Sequence, residues 1–222
     1  MIATIAATTA TIEDSVCASI AKRCSFDDPY RHSFVEDLFP AEVCRALATL
    51  PFAAPSLDGL SGRRELHNDK RRYFDAGGMA RFAVMRAVAE ALQSHAVVRA
   101  IHDAFDAPID DTLLRLEYAQ DIDGFWLEPH TDLGVKKFTC LIYLSEGHAD
   151  LGTDIYRSPQ QHVGRSPFKP NAAMIFVPSD TTWHGFEKRP IAGVRKSVIL
   201  NYVTHEWRAR EQLSFPESPV RI

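Results

Sequence analysis

The stretch F-W-L-E-P-H-T-D, residues 125–132, decides how the rest of the chain is read. It is rich in residues that favour strands, and in a strand side chains i and i+2 point to the same face. His130 and Asp132 therefore project together. An imidazole nitrogen and a carboxylate oxygen so placed can take adjacent corners of one metal ion, but two ligands do not hold a divalent ion tightly. The best third ligand is His184 in T-T-W-H-G-F (181–186), a short apolar stretch in which the following Gly185 lets backbone pass close to a site. With nine histidines in the chain, H-x-D alone carries little weight, so the segments downstream decide.

The segment G-V-R-K-S-V-I-L-N-Y-V (193–203) is strongly β-branched and apolar, and alternation puts Arg195, Ser197 and Ile199 on one face. A guanidinium on a buried strand requires an anionic partner. No carboxylate close in sequence supplies one, whereas a small dicarboxylate chelating the metal would. Two His and one Asp form the facial triad that leaves coordination positions open for a co-substrate and dioxygen.

H-T-D, then W-H-G-F, then G-V-R-K-S-V-I-L resembles the Fe(II)/2-oxoglutarate-dependent dioxygenase superfamily, in its prolyl-4-hydroxylase-like branch. The resemblance covers roughly residues 110–205, and more weakly the lead-in Y-R-H-S-F-V-E-D-L-F-P-A-E-V-C. It implies a mainly β chain with flanking helices: a double-stranded β-helix, or jelly roll, with N-terminal helices packed on one sheet. It implies Fe(II) held by His130, Asp132 and His184, and 2-oxoglutarate bound through Arg195 with Ser197. Turnover with dioxygen would give succinate and a hydroxylated product. Tyr143, Tyr118 and Thr139 are further candidates for contacting 2-oxoglutarate, Tyr143 preceded by F-T-C-L-I and sharing its face with Thr139. For Tyr118 a core tyrosine is an equal alternative.

Departures from neighbouring branches narrow the chemistry. Nucleic-acid demethylases of the AlkB type carry a second arginine where this chain has Asn201. Halogenases replace the metal carboxylate, and Asp132 is retained. Collagen-type prolyl hydroxylases use Lys where Arg195 stands. Hydroxylation of an unactivated C–H bond is the default outcome. The alternatives are a protein side-chain (prolyl-type) hydroxylase, a non-redox metal-binding or sugar-binding jelly roll, and a zinc hydrolase with the same ligands. Neither of the last two needs a fixed cation beside the metal.

The 222 residues fit one domain: 1–110 a helical lead-in, 111–205 the jelly-roll core and 206–222 a C-terminal tail. A net charge of -4 gives no general attraction to nucleic acid. Cys17, Cys24, Cys44 and Cys140 show no metal-finger spacing and read as buried, reduced thiols. No apolar run is long enough to span a bilayer, so the expected location is the cytoplasm.

Helices are expected at 13–23, 41–50, 78–95 and 96–105, and a strand at 33–39. Later strands are expected at 113–120, 125–132, 137–145, 154–156, 172–177, 183–187 and 195–203. In L-L-R-L-E-Y-A-Q, Leu114, Leu116 and Tyr118 share one face, Arg115 and Glu117 the other. The basic segment 62–74 could meet a small anionic substrate through Arg64, Asn68, Arg71 or Arg72, with Trp183 a further candidate contact. A solvated loop is the plainer reading of that segment.

Overall fold

The computed structural model describes residues 8–56 and 71–222. Arg64, Asn68 and most of the basic segment lie outside them. The helices begin where side chains can cap them. Thr8 accepts from the amide of Thr11 and starts α1 (Thr9–Ala21) four residues earlier than expected. Within it Ile12, Val16 and Ile20 are buried, one apolar stripe at a spacing of four. α2 (Ala41–Ala48) follows Pro40 as expected. The single helix expected at 78–95 is instead two. α3 (Ala76–Arg81) is capped by Asp75, and α4 (Ala83–Gln93) follows a break at Phe82, which is extended (φ -126, ψ 110). α5 (His95–Phe105) is capped by Ser94.

Among the described residues the strands form two antiparallel sheets. The lead-in supplies β1 (Cys24–Phe26), β2 (His32–Val35) and β3 (Arg72–Tyr73), so it is not purely helical. Then come β4 (Leu113–Asp121), β5 (Leu127–His130), β6 (Lys136–Tyr143), β7 (Asp154–Ser158), β8 (Gln161–Arg165), β9 (Ala173–Phe176), β10 (His184–Phe186) and β11 (Arg195–Val203). The larger sheet runs β1-β2-β9-β6-β11-β4-β3 and the smaller β5-β10-β7-β8. Strand β8 was not expected: Q-H-V-G-R has no apolar alternation and is largely exposed.

β11 lies between β4 and β6, pairing Arg195 with Asp121, Asn201 with Arg115, and Ser197 with Tyr143. This register gives the larger sheet two unlike faces, because successive side chains alternate. Leu114, Leu116, Tyr118, Ile142, Val198, Leu200 and Tyr202 join Val84, Met85, Val88 and Val97 of the helices in the main core. Arg115, Glu117, Asp121, Thr139, Tyr143, Arg195 and Ser197 occupy the opposite face, also buried. The tail closes the end of β4: the Val220 amide donates to the Thr112 carbonyl at 2.8 Å.

Two expectations are corrected. Tyr118 lies on the helix-packed face, where its hydroxyl donates to the Leu47 carbonyl at 3.1 Å, so it is a core tyrosine. The thiols are not uniformly buried: Cys44 and Cys140 are, Cys17 is half-buried and Cys24 exposed. Among the described residues no helix is long and apolar enough to cross a membrane.

Tyr118→Phe therefore removes a core hydrogen bond and nothing from the site. Urea denaturation is expected to show a loss of about 1 kcal/mol, with 2-oxoglutarate affinity unchanged; weakened co-substrate binding would return Tyr118 to the site.

Candidate metal and anion site

β5 ends at His130 and β10 begins at His184, and the two are direct partners across the smaller sheet. Their ring centroids lie 4.3 Å apart. Gly185 makes this possible, since a Cβ there would stand 2.9 Å from the Leu127 carbonyl oxygen. Asp132 falls two residues beyond the end of β5, so strand alternation alone does not aim it. Thr139 of β6 donates to its Oδ2 at 2.7 Å, and the Lys136 ammonium pairs with its Oδ1. One ligand atom from each of His130, Asp132 and His184 fits within a 4.8 Å cluster, close enough to hold one metal ion.

The protonation states suit a metal. Nδ1 of His130 lies 2.9 Å from the Glu128 carbonyl and Nδ1 of His184 lies 3.0 Å from that of Thr182. A carbonyl only accepts, so each Nδ1 carries the hydrogen and each Nε2 offers its lone pair. Burial, with the neighbouring His184, lowers the His130 pKa to about 4, leaving the ring neutral at physiological pH. Burial alone would raise the Asp132 pKa. The Lys136 ammonium, His184 and the two side-chain hydrogen bonds outweigh it and hold the carboxyl well below its usual range.

Behind Asp132 a buried polar ladder fixes its second oxygen. Arg115 can only donate, and its Nη1 donates to Asn201 Oδ1 at 3.2 Å. The Asn201 amide therefore turns its Nδ2 to the Thr139 hydroxyl, 2.9 Å away. That hydroxyl accepts from Asn201 and must send its own hydrogen to Asp132. Thr139 thus supports the Asp132 carboxylate, and it also lines the cavity that leads to Arg195.

A cavity of about 60 Å³ runs from this cluster to Arg195, walled in part by Tyr143, Thr153, Ser197 and Ile199. Arg195 meets a protein carboxylate that is distant in sequence. Its Nη1 donates to Asp121 at 2.6 Å and its Nε to the Leu151 carbonyl at 2.8 Å, with the Phe186 ring 4.7 Å from the guanidinium carbon. Among the described residues no hydrogen bond or ion pair uses Nη2. Arg71 is also on the wall, but its charge meets Asp121 at 2.9 Å and Glu117 at 3.4 Å. Glu117 in turn accepts from Arg115 at 2.7 Å. Three guanidiniums against two carboxylates leave one buried positive charge in excess among the described residues.

Tyr143 reaches the wall as expected, with its hydroxyl held by Thr153 and Ser166. Two proposed substrate contacts do not reach it. Arg72 is exposed on β3 and lines a different cavity with Phe52 and Arg81. Trp183 is absent from the walls, and its carbonyl accepts from Tyr30. Sequence reasoning missed Lys136, Asp121 and Asn201. Asp121 had a signal: a buried strand carrying Arg115, Glu117 and Asp121 on one face needs partners on that face.

A second group, Asp154, His162 and Glu187, also clusters closely enough for a metal. Its chemistry does not fit one. Asp154 is fully buried and already receives Arg165 at 2.6 Å, Arg189 at 2.7 Å and the Glu187 amide at 2.7 Å. Burial would raise its pKa, yet these partners outweigh that and lower it. Two arginines have taken the place a cation would fill.

His184→Ala and Asp132→Ala are each expected to abolish Mn(II) binding in calorimetry while circular dichroism stays that of the parent. Asp154→Asn should keep Mn(II) binding and lose about 3 kcal/mol of stability, as a broken buried ion pair does. The reverse pattern would move the metal to the second cluster.

No family model and no curated protein matches the sequence. Solved structures do match the fold. A prolyl 4-hydroxylase from Phytophthora capsici aligns over 94% of this chain and 69% of its own, at 18% identity and a TM-score of 0.57. A Pseudomonas putida prolyl-4-hydroxylase aligns over 87% and 98%, at 14% identity and 0.55. HygX from Streptomyces hygroscopicus, with nickel and 2-oxoglutarate bound, aligns over 86% and 90%, at 12% identity and 0.50. The chain thus shares its fold with these two prolyl 4-hydroxylases and with HygX, and it carries a His-Asp-His cluster at one end of a cavity and an arginine at the other.

Proposed function

We propose that the chain is an Fe(II)- and 2-oxoglutarate-dependent dioxygenase, its two sheets forming a double-stranded β-helix over 111–205, that hydroxylates a small molecule. One observation carries the reading: three neutral or anionic donors converge at one end of a cavity whose other end bears, among the described residues, an excess positive charge. That polarity matches a dicarboxylate chelating a divalent ion with its near end and meeting Arg195 with its far end.

The iron, when bound, supplies activation of dioxygen coupled to decarboxylation of 2-oxoglutarate. The chain's residues do the rest. His130 and His184 offer Nε2, held in that tautomer by backbone carbonyls. Thr139 and Asn201 fix one oxygen of Asp132. Arg195 orients a carboxylate through its remaining N–H groups, and Phe125, Leu127 and Phe186 line the cavity with apolar surface.

Hydroxylation of a protein side chain is the second reading. Trp126 (36% exposed) and Leu133 (64% exposed) flank His130 and Asp132 and give a peptide apolar surface to cover.

The test is succinate formation from 2-oxoglutarate in the presence of Fe(II) and dioxygen. Arg195→Lys keeps the charge beside Asp121 but loses the planar fork. It is expected to weaken 2-oxoglutarate binding by about tenfold, ~1.4 kcal/mol, with Mn(II) affinity near that of the parent. Succinate formation that is absent in the parent, or 2-oxoglutarate affinity unchanged in Arg195→Ala, would overturn the reading.

A further inference from the structure

Strand β10 does more than carry a metal-site histidine. His184 and Phe186 are two apart on it, so alternation sends both to one side, and both line the cavity that leads to Arg195. We propose that Phe186, backed by the Asp154–Arg189 ion pair, is a positioning residue for Arg195 and so makes the site selective for a 2-oxo acid with a far carboxylate. This rests on the oxygenase reading above and deepens it, by giving the second acidic cluster a part in the choice of co-substrate.

The ring comes first. The Phe186 centroid lies 4.7 Å from the Arg195 guanidinium carbon, nearer than the Tyr143 ring at 5.5 Å and the Phe168 ring at 5.7 Å. A guanidinium is drawn to the face of an aromatic ring, the more so where water is excluded, and both partners are buried. Arg195 is also held from Nη1 by Asp121 and from Nε by the Leu151 carbonyl. These bonds run along N–H groups that lie in the guanidinium plane, so they leave it free to tilt about the line that joins them. The ring contact sets that tilt, and with it the direction in which the planar fork meets a carboxylate.

The ring is itself held. A second guanidinium, Arg189, stands 3.9 Å from the Phe186 centroid. Its Nη1 donates to Asp154 Oδ2 at 2.7 Å and its Nη2 to the Gly152 carbonyl at 2.8 Å. Asp154 sits opposite Gly185 in the β7–β10 pairing and accepts from the Glu187 amide at 2.7 Å, so it grips β10 on both sides of Phe186. Gly152 follows the residue whose carbonyl receives Arg195, in backbone packed so closely that a Cβ there would stand 1.9 Å from the Ser166 carbonyl oxygen. Two of the contacts that hold Arg195, the Phe186 ring and the Leu151 carbonyl, are therefore anchored by Arg189 and Asp154.

The test compares 2-oxoglutarate with 2-oxopentanoate, which keeps the chain length and the chelating end but has a methyl group in place of the far carboxylate. Affinities are measured by calorimetry on Mn(II)-loaded protein. The parent is expected to prefer 2-oxoglutarate by about thirtyfold or more, as loss of one partner from a buried charged pair implies. Phe186→Leu keeps apolar bulk and removes the ring face. It should shrink that preference about tenfold, with 2-oxopentanoate and Mn(II) bound as in the parent. Arg189→Met should shrink the preference in the same way, and Phe186→Tyr, which keeps the face, should retain it. A merely reshaped cavity would weaken both acids alike, and a merely structural ion pair would lower the melting temperature and leave the preference intact. Either result, or a preference that survives in Phe186→Leu, would overturn the proposal. A parent that binds the two acids equally, or neither, would instead bring down the oxygenase reading on which the proposal stands.

Discussion

The buried charge network on the inner face of the larger sheet is the constraint on which the rest depends. Arg71, Arg115 and Arg195 meet Glu117 and Asp121 in a setting where an unmatched charge is costly. The β4–β11 register makes the pairing possible by setting Arg195 opposite Asp121 and Asn201 opposite Arg115. A slip of one residue would turn these charges into the helix-packed core. Register, helix packing and site are therefore one decision. The same alternation that sends Leu116 and Val198 to the helices sends Glu117 and Ser197 to the cavity.

The network also explains how a metal carboxylate beyond the end of its strand is aimed. From Arg115 through Asn201 and Thr139, each donor has one direction it can point, and the ladder ends on Asp132 Oδ2. Lys136 holds the other oxygen. Asp154 has comparable burial and more hydrogen bonds, but its partners are two arginines, so its charge is spent on joining β7, β8 and the segment after β10. Two clusters of similar donor types thus have opposite roles, decided by the cations already present.

His130, Asp132, His184 and Arg195 were legible because each sits in a strand-like segment with distinctive neighbours. Partners distant in sequence were not. Asp121 lies 74 residues from Arg195, and only the strand pairing brings them together. Lys136 fell one residue before the strand expected at 137–145. Tyr118 was misplaced although its own pattern held the answer: it alternates with Leu114 and Leu116, which are core, and against Arg115 and Glu117, which face the cavity. The break at Phe82 in the helix expected at 78–95 was not legible, because no local signal such as Pro marks that residue, whereas the Asp75 and Ser94 caps are ordinary and readable.

The most direct test of the account is a crystal soaked with Mn(II) and 2-oxoglutarate and measured at the manganese absorption edge. The account predicts one strong anomalous peak within bonding distance of His130 Nε2, His184 Nε2 and an Asp132 oxygen, with the far carboxylate of 2-oxoglutarate against Arg195. A peak at Asp154, His162 and Glu187, or a dicarboxylate placed away from Arg195, would contradict it.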